Sequence, residues 1–182
     1  MKSITRFSKR SVKHVTTLGL GLLALGMIAA GPALAQTATE DLSVTATVAS
    51  SCTISTTAVA FGPYNPATTH LAAPLDANGA VTVSCTLDAP VAITLGQGAD
   101  PLGGSTPDVP LRQMASGANL LPYSLFQETG RTTVWGDTIG TGVTTTGTGV
   151  SQSFPVFGRI PAAQNVPAGS YADTVVATVT FP

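Results

Sequence analysis

Gly169-Ser170-Tyr171-Ala172-Asp173-Thr174-Val175-Val176-Ala177-Thr178-Val179-Thr180-Phe181-Pro182 is the stretch whose reading decides the fold. Val175, Ala177, Val179 and Phe181 recur at period two, with Thr174, Thr178 and Thr180 between them, the pattern of a β-strand with one buried side. A strand this apolar belongs inside a sheet, yet no sequence follows Pro182 to pair with its outer edge. The expectation is an acceptor edge at Val175, Ala177, Val179 and Phe181 whose neighbour comes from elsewhere in the chain or from another molecule.

Working back to the other end, Lys2, Arg6, Lys9, Arg10 and Lys13 precede an uncharged apolar run and then Ala33-Leu34-Ala35. A basic start, an apolar middle and an A-x-A site read as a secretory signal peptide over residues 1–35. A retained membrane anchor is the competing reading, but Pro32 and the small residues before Gln36 fit cleavage better. Removing this segment leaves Arg112, Arg131 and Arg159 against nine carboxylates, a formal balance of −6 without a single lysine. Such a chain offers no cationic cluster for nucleic acid or anionic lipid, so contact with a membrane is expected only through secretion. The Gly, Pro, Thr and Val content favours short strands and turns, and one domain.

After the leader, Leu42, Val44, Ala46, Val48, Cys52 and Ile54 alternate with Ser and Thr for about thirteen residues, on the order of 43 Å of extended chain. That exceeds a strand of so small a domain, so one half is expected to leave it. A second strand is expected over 80–87, with Val81, Val83, Cys85 and Leu87 inward and Asn78-Gly79 as the preceding turn. Cys52 and Cys85 thus both sit on apolar faces. In an exported chain they most simply form one intramolecular disulfide, which stabilises by roughly 3–4 kcal/mol through loop closure. A redox-active pair is the alternative, against which stand the lack of C-x-x-C and of a nearby cation. Further strands are expected at 91–95, 111–114, 120–127, 132–135 and 151–159, with 96–110 and 136–149 as loops. Six or seven strands in an antiparallel two-sheet sandwich is the economical architecture.

Chemistry-bearing clusters are scarce. His70, beyond the leader the only histidine, stands in a Thr-rich loop context and reads as solvent-exposed rather than as a ligand. Asp76, Asp88, Asp100, Asp108 and Asp137 adjoin Gly, Pro or Asn, as turn-forming acids do. Gly140-Thr141-Gly142 and Gly147-Thr148-Gly149 lack the G-K-[ST] of a phosphate loop. Trp135 reads as a core residue, with a sugar-stacking platform as the alternative. No enzyme activity, cofactor or metal site is expected.

Four motifs resemble one family in order along the chain. These are Leu121-Pro122-Tyr123-Ser124-Leu125-Phe126, Arg131-Thr132-Thr133-Val134-Trp135-Gly136-Asp137, Phe154-Pro155-Val156-Phe157-Gly158-Arg159-Ile160-Pro161 and Pro167-Ala168-Gly169-Ser170-Tyr171-Ala172-Asp173-Thr174-Val175. They are similar to the spore coat protein U domain, a family that includes subunits of archaic, Csu-type chaperone–usher pili. The resemblance implies an all-β, immunoglobulin-like antiparallel sandwich lacking its final strand and completed by a donor strand. It implies residues 36–47 as the donor extension, with Leu42, Val44 and Ala46 filling a groove in the domain at 48–182, and it puts the family disulfide at Cys52 and Cys85. Glu40 departs from the pattern, because a carboxylate suits no apolar pocket. The partners implied are a periplasmic pilus chaperone, an outer-membrane usher, and other copies of the chain or related pilins. The implied setting is export through the periplasm to a cell-surface pilus that supports adhesion or biofilm formation. A secreted coat or matrix protein with the same fold but no fibre is the alternative.

Overall fold

The computed structural model describes residues 35–182, so the leader expected at 1–35 lies almost wholly outside the described residues. Two units are distinguished, up to Thr45 and from Ala46. In the first, residues 35–45 form no regular element and every residue is exposed.

The second unit has eight strands and, among the described residues, no helix. They are β1 Cys52–Thr57, β2 Leu75–Cys85, β3 Pro90–Leu95, β4 Arg112–Ser116, β5 Asn119–Phe126, β6 Val143–Thr146, β7 Ser151–Ile160 and β8 Ala177–Thr180. Every pairing is antiparallel, in one sheet ordered β1-β2-β7-β5-β4 and a second ordered β6-β3-β8. The architecture is an immunoglobulin-like sandwich. Val81, Val83 and Cys85 of β2, Leu121, Tyr123 and Leu125 of β5, and Val156 and Ile160 of β7 line the inner face of the first sheet. They meet Val91, Ile93 and Leu95 of β3, the strand at the centre of the second. The period-two spacing of each set puts all of it on one side of its strand.

Cys52 and Cys85 stand directly opposite each other in the β1–β2 register and are joined as a disulfide. Trp135 is fully buried and donates its indole N–H to the Ile93 carbonyl at 2.9 Å. It is therefore a core residue, with its one polar atom satisfied.

The structure corrects several expectations. Asn78-Gly79 is not a turn but the middle of β2, opposite Phe157 and Val156. Glycine is needed there because a Cβ would lie 2.5 Å from the Thr57 carbonyl oxygen and 2.8 Å from Val59. β2 consequently begins at Leu75, and Asp76 is a strand residue paired with Arg159 at 2.7 Å and Arg131 at 3.3 Å rather than a turn former. Leu87 lies beyond the end of β2 and is exposed. Residues 132–135 form no strand, only an isolated bridge between Val134 and Phe126. The stretch 136–149 instead contributes β6 along the edge of β3, which makes eight strands rather than six or seven. His70 is buried, not exposed, because its ring stacks on Tyr64.

Candidate functional site

The five-stranded sheet runs out at β1 and the three-stranded sheet at β8, and these two elements come together on one side of the sandwich. Between them lies a groove of about 1070 Å³. One wall is residues 56–66, the end of β1 and the extended chain after it. The other is 166–177, which leads into β8. Its floor is lined by core side chains, Val81, Leu95, Leu121, Leu125, Val156 and Ile160, with Tyr123 among them.

The first wall is positioned by glycines in the five-stranded sheet. Past Thr57 the chain leaves the β2 edge and passes close over Gly79 and Gly158. A Cβ at Gly158 would come within 2.6 Å of Val59 and 2.8 Å of Phe61. Val59 and Phe61 pack against the core in the space those missing side chains leave, with the Phe61 ring edge-on to Tyr123 at 6.1 Å. Among the described residues, no backbone group of residues 59–63 has a hydrogen-bond partner in the protein. Buried backbone groups are almost always paired, and here they lie along an open groove.

The second wall shows the same deficit. Thr178 and Thr180 sit in register with Thr94 and Ala92 of β3, and the Val176 carbonyl accepts from Gly96 N–H at 2.9 Å. In an antiparallel ladder alternate residues turn their backbone groups to opposite edges, so those of Val175, Ala177 and Val179 face away from β3. The groove therefore has an apolar floor and two extended margins with free backbone donors and acceptors.

A polar cluster holds the second wall in place. Asp173 accepts from the Tyr123 hydroxyl at 2.6 Å, from Ala99 N–H at 2.8 Å and from Thr174 N–H at 2.7 Å. Burial, and then the bond to Asp173, push the Tyr123 phenol well above its usual range. Nearby, the buried Arg112 guanidinium donates to the carbonyls of Gly96 at 2.8 Å and of Leu95 and Trp135 at 2.7 Å each. Desolvation lowers Arg112 to about 10, which leaves it charged at neutral pH.

Of the residues singled out in the sequence, Val175 and Ala177 line the groove, and Val179 packs into the adjoining core. Phe181 lies instead at a separate shallow recess with Pro90, Ala92 and Ile139. Leu42 and Val44 are 87% and 84% exposed, and Ala46 is exposed too. The sequence reading missed the first wall. Its signal was the short alternation Val59-Ala60-Phe61 before Gly62-Pro63.

Fold and groove together define a class: antiparallel, immunoglobulin-like β-sandwiches with an apolar groove along one side. The chain belongs to the Spore Coat Protein U domain family, which matches residues 38–178. It is 43% identical over 166 residues to Protein U of Myxococcus xanthus, covering 87% of this chain and 93% of that relative. Among solved structures it is similar to a chain in the CsuC–CsuE chaperone–tip adhesion subunit pre-assembly complex from the archaic chaperone–usher Csu pili of Acinetobacter baumannii. There the TM-score is 0.53 at 24% identity, over 74% of this chain and 40% of that one, a likeness of fold.

Proposed function

We propose that this protein is the structural subunit of a secreted surface fibre, assembled when residues 36–47 of one copy enter the groove of another. One observation carries the reading: an apolar trough bordered on both sides by unpaired extended backbone has the shape and hydrogen-bonding capacity of a missing strand. The occupant needs alternating apolar side chains and few charges. Leu42, Val44 and Ala46 supply that alternation on chain that is itself exposed. Burying a Leu or Val side chain contributes about 1.5–3 kcal/mol, and the backbone bonds add to it.

On this reading residues 1–35 are a leader, 36–47 the donor and 48–182 the accepting domain. Before assembly the groove is covered by a strand from a periplasmic chaperone, and an outer-membrane usher passes the subunits to a pilus that serves adhesion or biofilm formation. The likeness to a chaperone-bound pilus subunit supports this route. A second reading, a coat or matrix protein that forms no fibre, is favoured by the likeness to Protein U.

Export of the chain with and without residues 36–46 separates them. Multimers that survive unheated denaturing gels and vanish on truncation support the fibre. A stable monomer in both cases refutes strand exchange and leaves the coat reading.

A further inference from the structure

The two walls of the groove are tied together at one end by a ring stack. Tyr64 and His70 lie 4.9 Å apart at 14° between planes. The Tyr64 hydroxyl donates to the Pro161 carbonyl at 2.8 Å and accepts from Gln164 N–H at 2.9 Å. His70 bonds on two sides through its backbone, its N–H to the Asn65 carbonyl at 2.9 Å and its carbonyl to Ala163 N–H at 2.8 Å. Tyr64, Asn65 and Pro66 belong to the first wall, and Val166, just past Gln164, begins the second. The stack therefore sets the spacing of the walls at this end.

One further contact makes that spacing depend on a proton. His70 Nδ1 accepts from Asn65 N–H at 2.8 Å. The imidazole must be neutral to do so, with its hydrogen on Nε2. Protonation puts a second donor at Nδ1, and two N–H groups then face each other where one bond had been. His70 is only 8% exposed, so water cannot readily take over the lost partner. No charged side chain lies on the segments packed against it: residues 64–74 and 160–170 carry none, and Tyr64 is the only other titratable group there. The nearest charges along the chain, Asp76 and Arg159, are paired with each other at 2.7 Å, with Arg131 3.3 Å from Asp76 on its other oxygen.

We propose that His70 is a positioning residue for strand capture, competent only as the neutral imidazole, so that mild acid loosens this end of the groove and weakens its grip on an incoming strand. The inference rests on the groove being a strand-binding site.

The test uses the chain from Gln36 with its disulfide intact and, as probe, a labelled synthetic peptide of residues 36–47. Capture is measured at pH 7.5 and pH 5.5, alongside the exchange protection of the Asn65 amide. The wild-type chain should bind about tenfold more weakly at pH 5.5, with the Asn65 protection factor falling in parallel. His70→Asn, whose Oδ1 can accept from Asn65 N–H but does not titrate, should bind equally at both pH values. A His70→Asn chain that keeps the wild-type pH ratio overturns the assignment. So does an Asn65 protection factor that holds at pH 5.5, whether or not the variant folds. Absence of capture at both pH values refutes the groove reading itself, whereas capture with unmoved Asn65 protection refutes the histidine alone.

Discussion

Replacing Gly158 with alanine adds a single methyl at the point where the first wall crosses the large sheet. That methyl would sit 2.6 Å from Val59 Cγ1 and 2.8 Å from Phe61 Cζ, where carbon atoms are at rest about 3.5–4.0 Å apart. Something must move by about 1 Å. The glycine cannot, because β7 is bonded on both sides, with Gly158 in register with Ala77 on β2 and Leu125 on β5. The wall can, since residues 59–63 have no backbone bonds to hold them and keep their place only through Val59 and Phe61. The cost is that of overpacking a core, about 1–3 kcal/mol. With a urea dependence of about 2 kcal/mol per molar, the unfolding midpoint of the oxidised chain should fall by about 0.5–1.5 M. Adding Val59→Ala removes the closer of the two collisions, so Gly158→Ala should cost less in the Val59→Ala background than in the wild type. A midpoint shift of less than about 0.2 M for Gly158→Ala would show that this close approach is not what places the wall.

Arg112→Ala should lower stability by about 3–5 kcal/mol, because three carbonyls lose a buried charged donor; a thermal melt close to wild type would refute that role. Glu128 accepts from Thr132 N–H, Thr132 Oγ1 and Thr133 N–H, and these bonds hold its carboxyl at about 2, against an ordinary 4.5. A depressed carboxylate contributes above its unfolded value and loses that contribution as pH falls through the folded one. The melting temperature should therefore drop more between pH 5 and pH 2 in the wild type than in Glu128→Gln, and equal drops would remove Glu128 from the acid response. Leu42→Asp with Val44→Asp should abolish multimers on unheated gels while the domain's own melt stays unchanged, since charges cannot enter an apolar trough. Multimers that persist would place the donor elsewhere.

The sheets were legible wherever polar and apolar residues alternate, as at Val81, Val83 and Cys85, or at Leu121, Tyr123 and Leu125. The disulfide followed from the same alternation. What stayed hidden depended on close approach between distant segments. Asn78-Gly79 carries the local signature of a hairpin turn, but its glycine serves the passage of Thr57 and Val59 over β2. β6 is Val143-Thr144-Thr145-Thr146 within a Gly/Thr-rich run, and only its pairing with β3 makes it a strand. His70 read as a surface residue because residue type points outward when the partners cannot be seen. Half of the groove could be read from Val175 and Ala177, whose alternation is local. The other half owes its place to two glycines far off in the sequence.

The fate of the three arginines bears on how long the molecule withstands proteolysis. Residues 36–182 contain no lysine, so within them a trypsin-like protease has only the bonds after Arg112, Arg131 and Arg159 to attack. Arg112 is 1% exposed. Arg131 sits at φ 53° in a turn, bonded to Asn78 and to the Gly158 carbonyl, a conformation far from the extended one a protease cleft binds. Arg159 lies in the middle of the large sheet and is clamped twice by Asp76. Every residue such an enzyme could recognise is occupied in holding the fold together, so digestion has to wait for unfolding. Against a trypsin-like protease, the working lifetime of this protein is set by how often its fold opens.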